Sequence, residues 1–156
     1  MTKILFVCHG NICRSPMAEF VFRDMAEKAG LADRFFAASA ATSPEEIGNP
    51  VYPPACRVLA EYGIDTPGLR TKTARRLTPE DYAAFDRLIG MDEANLRDMR
   101  RICGGDPQGK LSLLLDYTDR PGEVADPWYS GNFVQTLRDV EAGCRGLLAR
   151  LQAEEC

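Results

Sequence analysis

The chain has 156 residues, which is the size of one compact domain. Its content of 45% hydrophobic and 27% charged residues excludes a disordered, collagen-like or coiled-coil chain, and its net charge of −4 argues against a general nucleic-acid binder. No apolar run approaches the roughly 18 residues of a membrane span, and the start of the chain does not resemble a secretory leader. We therefore expect one cytoplasmic domain, residues 1–156.

Strand-like and helix-like segments alternate along the sequence. Short apolar runs bounded by glycine or polar residues predict strands, and apolar residues at intervals of three and four predict helices. Ser15 and Pro16 suit the N-cap and first position of the first helix, and Asp92 suits a later N-cap. The predicted strands cover residues 3–8, 35–41, 86–91 and 110–115, and the predicted helices cover residues 16–29, 55–62, 78–85, 93–103 and 133–151, with a long connection over residues 116–132.

This alternation predicts an α/β fold. Because parallel strands need crossover connections, four such strands form a doubly wound parallel sheet with helices on both faces, of the flavodoxin-like kind. Ligands in such folds bind beyond the carboxyl ends of the strands. The loop after the first strand is therefore the first place to look for a site.

That loop, residues 8–15, has the composition of an anion-binding site and is called the anion-binding loop below. Backbone N–H groups of a tight loop at a helix N-terminus converge on an oxyanion, and an arginine adds a planar fork that matches two phosphate oxygens. The same positive potential stabilises a cysteine thiolate as a nucleophile. The loop consists of Cys8, His9, Gly10, Asn11, Ile12, Cys13, Arg14 and Ser15.

A thiolate that attacks phosphorus needs a proton donor for the departing oxygen. Asp126, after the fourth predicted strand, is better placed for this than His9, and Trp128 and Tyr129 beside it can form an aromatic wall for a planar substrate. A single histidine and the lack of a CxxC pair argue against a metal site. Without a secretory leader, the cysteines are expected to be reduced thiols.

The sequence resembles the low-molecular-weight protein tyrosine phosphatase family. The motif CxxxxxRS alone is moderately specific, but its combination with a downstream Asp-Pro-aromatic-Tyr segment in a chain of this size is strong. The matching segments follow the family's order and spacing over nearly the whole chain: residues 7–19, 39–43 with 47–48, 74–75, 91–97 and 126–129.

The resemblance implies a protein tyrosine phosphatase without a metal or organic cofactor. Cys8 would attack phosphotyrosine and form a phosphocysteine, Arg14 and the loop amides would bind the phosphoryl oxygens, and Asp126 would act as acid and then base. Cys13 would form a reversible disulfide with Cys8 under oxidation. Asn11 and Ser15 would shape the loop, with Ser15 also favouring the thiolate, and Ser39 would support Asn11.

The expected partners are phosphotyrosine proteins, with a tyrosine kinase as a further candidate, and the expected state is a monomer or a weak dimer. Four residues depart from the family's usual pattern. His9 stands where many members have a small or apolar residue, Lys72 where some have a histidine, Glu45 near the position of a bulky aromatic, and Trp128 in place of a tyrosine. Glu45, Trp128 and Tyr129 are expected to line the substrate site, and Glu45 to disfavour acidic substrates.

Two related activities remain as alternatives. An arsenate reductase of this fold relays disulfides through cysteines shortly after the third strand, where this chain has Met91 and Asp92, with Cys103 a helix away. A protein arginine phosphatase carries threonine where Ile12 stands. A silent phosphate-binding module and a flavin-phosphate binder are two further readings; the first conflicts with the intact Cys8, Arg14 and Asp126, and the second with a cysteine in the first loop.

Overall fold

The computed structural model describes residues 1–64 and 67–155. Over these residues strands and helices alternate as the sequence predicts. The elements in chain order are β1 (Thr2–Cys8), α1 (Arg14–Lys28), β2 (Phe35–Ala41), α2 (Pro53–Glu61), α3 (Pro67–Thr71), α4 (Asp81–Ala84), β3 (Arg87–Gly90), α5 (Glu93–Cys103), β4 (Leu111–Leu113), a 3-10 helix (Leu114–Tyr117), α6 (Pro127–Ser130) and α7 (Phe133–Glu155).

The four strands form one parallel sheet in the order β2-β1-β3-β4. The first strand therefore lies inside the sheet, and its carboxyl end at Cys8 is flanked by those of β2 and β3. This is the switch point at which doubly wound sheets bind ligands. The predicted α/β fold is confirmed, with the site-bearing loop at the edge where it was expected.

The side chains of β1 alternate between two hydrophobic cores, as the period of two in a strand requires. Ile4, Phe6 and Cys8 pack in a core with α1, α2 and α7, whereas Leu5 and Val7 pack in a second core with residues of α5. Helices thus cover both faces of the sheet. In the described ranges no helix is long and apolar enough to span a membrane.

The predicted fourth strand, residues 110–115, is too long. Only Leu111–Leu113 pairs with β3, and the chain then turns into the 3-10 helix, in which the Asp116 carboxylate accepts the N–H of Leu113 at 2.9 Å. Apolar periodicity over a few buried residues does not distinguish a strand from a buried turn. The short helices α3 and α6 were not predicted, because a single turn carries too few residues to show a helical pattern.

The long helix α7 lies directly on the 3-10 helix at two glycines. A Cβ added to Gly146 would lie 1.9 Å from the Tyr117 carbonyl oxygen, and one added to Gly143 would lie 2.4 Å from Leu114 Cγ. These glycines therefore allow a close approach of two backbones. The contact fixes the start of the segment, residues 118–126, that leads to Asp126.

We predict that Gly146→Ala destabilises the protein, although alanine normally favours a helix over glycine by about 1 kcal/mol. The clash is with backbone, which cannot rotate away, so the free energy of unfolding should fall by about 1–3 kcal/mol, or roughly 2–4 °C in melting temperature per kcal/mol. The control is Gly122→Ala, where an added Cβ meets nothing within 4 Å. Equal melting temperatures for the two variants, measured by circular dichroism, would contradict this packing.

Candidate active site

The anion-binding loop connects the end of β1 to the start of α1. The helix begins at Arg14, with Cys13 as a cap residue that makes no side-chain capping bond. The predicted N-cap, Ser15, is therefore wrong: it lies in the first turn, because its hydroxyl is used by Cys8 and Asn11 instead. Asn11 has a φ of 59°, in the left-handed region that asparagine tolerates better than most residues.

The sulfur of Cys8 is surrounded by hydrogen-bond donors. Cys8 Sγ accepts the N–H groups of Asn11 at 3.3 Å and Ser15 at 3.4 Å, and it lies 3.0 Å from Ser15 Oγ. The sulfur also lies at the N-terminus of α1, where the helix dipole is positive. Several donors and a positive potential on one sulfur are the environment in which proteins stabilise a thiolate.

A directed chain of hydrogen bonds supports this sulfur from behind. Lys72 Nζ donates to Asn11 Oδ1 at 3.0 Å, and Asn11 Nδ2 donates to Ser15 Oγ at 2.8 Å. Because an ammonium only donates, it fixes the orientation of the Asn11 amide. Ser15 then accepts from Asn11, and the acceptors for its own proton are Cys8 Sγ at 3.0 Å and, farther away, the Ala40 carbonyl at 3.5 Å. The chain thus directs the Ser15 hydroxyl at the sulfur.

Lys72 is held by three oxygen acceptors. Besides Asn11, its Nζ donates to the carbonyl oxygens of Ser39 and Thr73, each at 3.2 Å. Three acceptors match the three protons of an ammonium. Burial nevertheless lowers the pKa of Lys72, and the nearby charge of Glu19 partly offsets this.

Ser39 supports Asn11 only indirectly. Its hydroxyl donates to Glu19 Oε1 at 2.6 Å and makes no hydrogen bond to Asn11, whereas its carbonyl oxygen binds Lys72. Any effect of Ser39 on Asn11 therefore passes through Lys72, which binds both residues. The second acceptor contact of Asn11 Oδ1 is the backbone N–H of Arg75, at 3.2 Å. Sequence reasoning missed Glu19, since a glutamate inside a helix is usually exposed, while this one is buried.

Arg14 is buried at the bottom of the site and held by two carboxylates. Its Nη1 donates to Asp92 Oδ2 at 2.7 Å and to the Val124 carbonyl at 3.0 Å, and its Nη2 lies 3.5 Å from Asp126 Oδ2. With 3% of its side chain exposed, the guanidinium is fixed in direction. It presents a positive charge to the cavity from below.

Asp92 does more than the expected helix capping. The cap is confirmed, because Asp92 Oδ1 accepts the N–H of Asn95 at 2.8 Å, but Asp92 Oδ2 also binds Arg14. Its position at the carboxyl end of β3, next to β1 in the sheet, was the signal that could have shown this second contact. The sequence pattern of a helix cap predicts only the capping role of Asp92.

Asp126 reaches the site as the N-cap of α6. Its Oδ1 accepts the N–H of Trp128 at 3.0 Å, which orients the carboxyl group and leaves Oδ2 toward Arg14. The backbone segment before it is anchored by the N–H of Val124, which donates to the Met91 carbonyl at 2.8 Å. The end of the segment 118–126 is thus fixed to the residue that follows β3, and its start is fixed by the contact with α7.

These groups enclose a cavity of about 180 Å³. Trp128 and Tyr129 form one wall and are 53% and 86% exposed, with Trp128 supported by Tyr52 at a ring-centroid distance of 4.8 Å. Tyr52 and Glu46 were not predicted. Asn11, Ser15 and Ser39 lie behind the cavity, which is lined by Cys8, His9, Gly10, Ile12, Cys13, Arg14, Glu45, Glu46, Asp126, Trp128 and Tyr129.

Cys13 lies beside the candidate nucleophile but in a different environment. Burial, followed by the charge of Cys8, raises the pKa of Cys13 to about 12. Cys13 is therefore a protonated thiol at neutral pH. Among residues 1–64 and 67–155, no group of three or more His, Cys, Asp or Glu side chains is arranged to hold a metal ion.

We predict that Lys72→Met slows alkylation of Cys8 by iodoacetamide at neutral pH by about tenfold. Loss of the ammonium frees the Asn11 amide and weakens the chain of hydrogen bonds that ends on the Cys8 sulfur, and hydrogen bonds that involve a charged group contribute about 1.5–3 kcal/mol. Lys28→Met, which removes an exposed lysine at the end of α1, is the control. Mass spectrometry of the Cys8 peptide measures the rate; equal rates in both variants would disprove the link.

Known proteins that are similar to this chain share one family description. The family described as "Low molecular weight phosphotyrosine protein phosphatase" matches residues 3–156. The low molecular weight protein-tyrosine-phosphatase YfkJ of Bacillus subtilis is 40% identical over 157 residues, covering 99% of each chain. A low molecular weight phosphotyrosine protein phosphatase of Schizosaccharomyces pombe is 43% identical over 139 residues, covering 85% of this chain and 86% of that one.

Solved structures show the same relationship. The crystal structure of Bacillus subtilis YfkJ superposes with a TM-score of 0.94 at 39% identity, covering 100% of this chain and 98% of that one. That of SP-PTP, a low molecular weight protein tyrosine phosphatase from Streptococcus pyogenes, gives 0.86 at 38% identity, covering 97% and 93%. The chain therefore belongs to the low molecular weight phosphotyrosine protein phosphatase family.

Proposed function

We propose that this protein hydrolyses phosphotyrosine in proteins, and simple aryl phosphate monoesters, through a phosphocysteine intermediate. The observation that carries the proposal is the arrangement at one cavity of a sulfur that accepts two backbone N–H bonds, a buried arginine and a carboxyl group. Family membership supports phosphoproteins as the substrate class. The cavity's exposed aromatic wall, Trp128 and Tyr129, fits the ring of a tyrosine.

In the first step, the Cys8 thiolate attacks phosphorus and an S–P bond forms as the P–O bond to tyrosine breaks. Asp126 donates its proton to the departing oxygen and becomes a carboxylate. The transferring group carries negative charge on its equatorial oxygens, which Arg14 and the N–H groups of the anion-binding loop stabilise. Arg14 is already oriented for this by Asp92.

In the second step, the Asp126 carboxylate removes a proton from water as the water oxygen attacks phosphorus. The S–P bond breaks, inorganic phosphate leaves and Cys8 returns as a thiolate, with Asp126 protonated again. The Ser15 hydroxyl, directed at the sulfur, stabilises this thiolate both before attack and as the leaving group. One residue therefore serves as acid and then as base, as microscopic reversibility requires.

The proposal includes expectations about oxidation, location and assembly. Cys13 captures an oxidised Cys8: hydrogen peroxide converts the thiolate to a sulfenic acid, and the Cys13 thiol then forms the disulfide with loss of water. We also propose that the protein acts in the cytoplasm, where thiols are kept reduced. We further propose a single domain acting as a monomer on substrates phosphorylated by a tyrosine kinase.

The alternative activities find less support in the site. Ile12 presents an apolar side chain to the cavity, and a phosphoarginine phosphatase carries threonine at this position. A disulfide-relaying arsenate reductase needs a second thiol within reach of the nucleophile after β3. Cys103 instead ends α5 and packs with the core on the opposite face of the sheet from Cys8.

We predict that Cys8→Ser lowers kcat on a phosphotyrosine peptide by at least about 10³-fold and Asp126→Ala by about 10²–10⁴-fold. The Asp126→Ala loss should be smaller on p-nitrophenyl phosphate, because nitrophenolate leaves more readily without a proton. Cys103→Ser and Asp98→Ala, which alter half-buried or exposed residues of α5, are the matched controls. Unchanged turnover in Cys8→Ser, or arsenate-dependent thiol oxidation by the unmodified protein, would reject the mechanism.

We also predict that Cys13→Ser makes oxidative inactivation irreversible. After brief treatment with hydrogen peroxide, the unmodified protein should regain most of its activity with dithiothreitol, because the disulfide blocks further oxidation of Cys8. The variant should regain only a small part, since its sulfenic acid proceeds to a sulfinic acid. Cys103→Ser serves as control, and equal recovery in Cys13→Ser and the unmodified protein would exclude the role of Cys13.

A further inference from the structure

We infer that this enzyme selects phosphotyrosines flanked by basic residues, and that Glu45 and Glu46 are the residues that make this selection. The inference rests on the proposed function and concerns the rim of the same cavity. Both glutamates line the cavity from the loop that follows β2, opposite in charge to the arginine at its bottom. They are called the glutamate rim below.

Hydrogen bonds position both residues of the glutamate rim, through the side chain of Glu46 and through the backbone of Glu45. Glu46 Oε2 accepts Asn49 Nδ2 at 2.6 Å, and its stem packs against the loop so closely that a Cβ on Gly10 would lie 3.3 Å from Glu46 Cγ. The N–H of Glu45 donates to Ser43 Oγ at 3.1 Å, which fixes the turn on which it sits. A rim held in this way loses little side-chain entropy when a peptide binds.

The Glu45 carboxylate contacts His9, which also lines the cavity. His9 Nε2 lies 3.2 Å from Glu45 Oε2, and the two side chains are 54% and 69% exposed. His9 is the only histidine of the chain and directly follows the nucleophile. The contact therefore spans the anion-binding loop and the loop after β2, and it leaves Glu45 accessible to a cationic side chain of a bound peptide.

The cavity has opposite charges at its bottom and its rim. The bottom has buried Arg14 and the N-terminus of α1, which attract the phosphate dianion. The rim has Glu45 and Glu46, with Asp126 beside the aromatic wall. A substrate that matches both ends carries its negative charge on the phosphate and positive charge on the neighbouring residues, whereas acidic neighbours meet like charge.

The aromatic side of the opening contributes a smaller part of this discrimination. Trp128 and Tyr129 contact a ring or an aliphatic stem, and their exposed faces also attract a guanidinium weakly. Most of the charge selection should therefore depend on the glutamate rim. Because both carboxylates remain solvated, each should change kcat/KM by about three- to fivefold, and added salt should reduce the effect.

The test compares three phosphotyrosine peptides of equal length, with arginine, alanine or glutamate at the two positions on each side of the phosphotyrosine. In the unmodified protein, kcat/KM should be about tenfold higher for the arginine peptide than for the glutamate peptide at low ionic strength. At 0.5 M sodium chloride the ratio should fall to about two. Ratios are formed within each protein, so changes in overall activity cancel.

Glu45→Gln and Glu46→Gln should each lower the ratio by about threefold, and the double variant should leave only the small ratio, below about two, that the aromatic rings contribute. Glu61→Gln, at the exposed end of α2, is the control and should leave it unchanged. Thermal unfolding of each variant verifies that the fold is retained. A ratio near one in the unmodified protein, or a full ratio in the double variant, overturns the inference.

The same experiment separates this inference from the proposed function. Turnover of p-nitrophenyl phosphate, which has no flanking residues, reports on the chemistry alone. If it is hydrolysed while the three peptides react equally, the glutamate rim does not select and the proposed function stands. If neither it nor any peptide is hydrolysed, the proposed function fails and the inference fails with it.

Discussion

The site depends on the convergence of hydrogen-bond donors on one sulfur atom. Cys8 ends the central strand, and the chain then turns back so that the N–H groups of Asn11 and Ser15 point at Sγ. Such a turn requires Asn11 in the left-handed region, which is an uncommon conformation for a residue other than glycine. It persists because both ends of the Asn11 amide are bound, by Lys72 on one side and by Ser15 on the other.

Two carboxylates contact Arg14, one closely and one at a longer distance. Asp92 binds Arg14 at 2.7 Å and also caps its own helix, so its place is fixed by β3 and α5. Asp126, at 3.5 Å, is the N-cap residue of the short helix α6 and makes the weaker contact. In the proposed mechanism, an anion that enters the cavity replaces Asp126 at the guanidinium while Asp92 keeps the arginine in place, and Asp126 then transfers the proton.

Where a sequence-based prediction was wrong, a tertiary contact outweighed the preference of the residue for one local structure. Ser15 has a side chain suited to an N-cap, yet its hydroxyl binds Cys8 and Asn11, and the helix begins at Arg14. Residues 114 and 115 continue an apolar run like that of a strand, but they are buried in a 3-10 helix against α7. The buried partner of the Ser39 hydroxyl, Glu19, was not predicted, and it lies 20 residues away in sequence.

The sequence by itself determined the alternating fold and the position of the anion-binding loop, and it predicted the chemistry of Cys8, Arg14 and Asp126, because strand and helix periods and a contiguous loop motif are local properties of a chain. Only the tertiary structure decided which distant residues complete the site. The contacts of Arg14 with Asp92 and Val124, and of Asn11 with Lys72, join residues 61 to 110 positions apart. Such contacts depend on strand order and on the paths of the loops between strands, which no local pattern encodes.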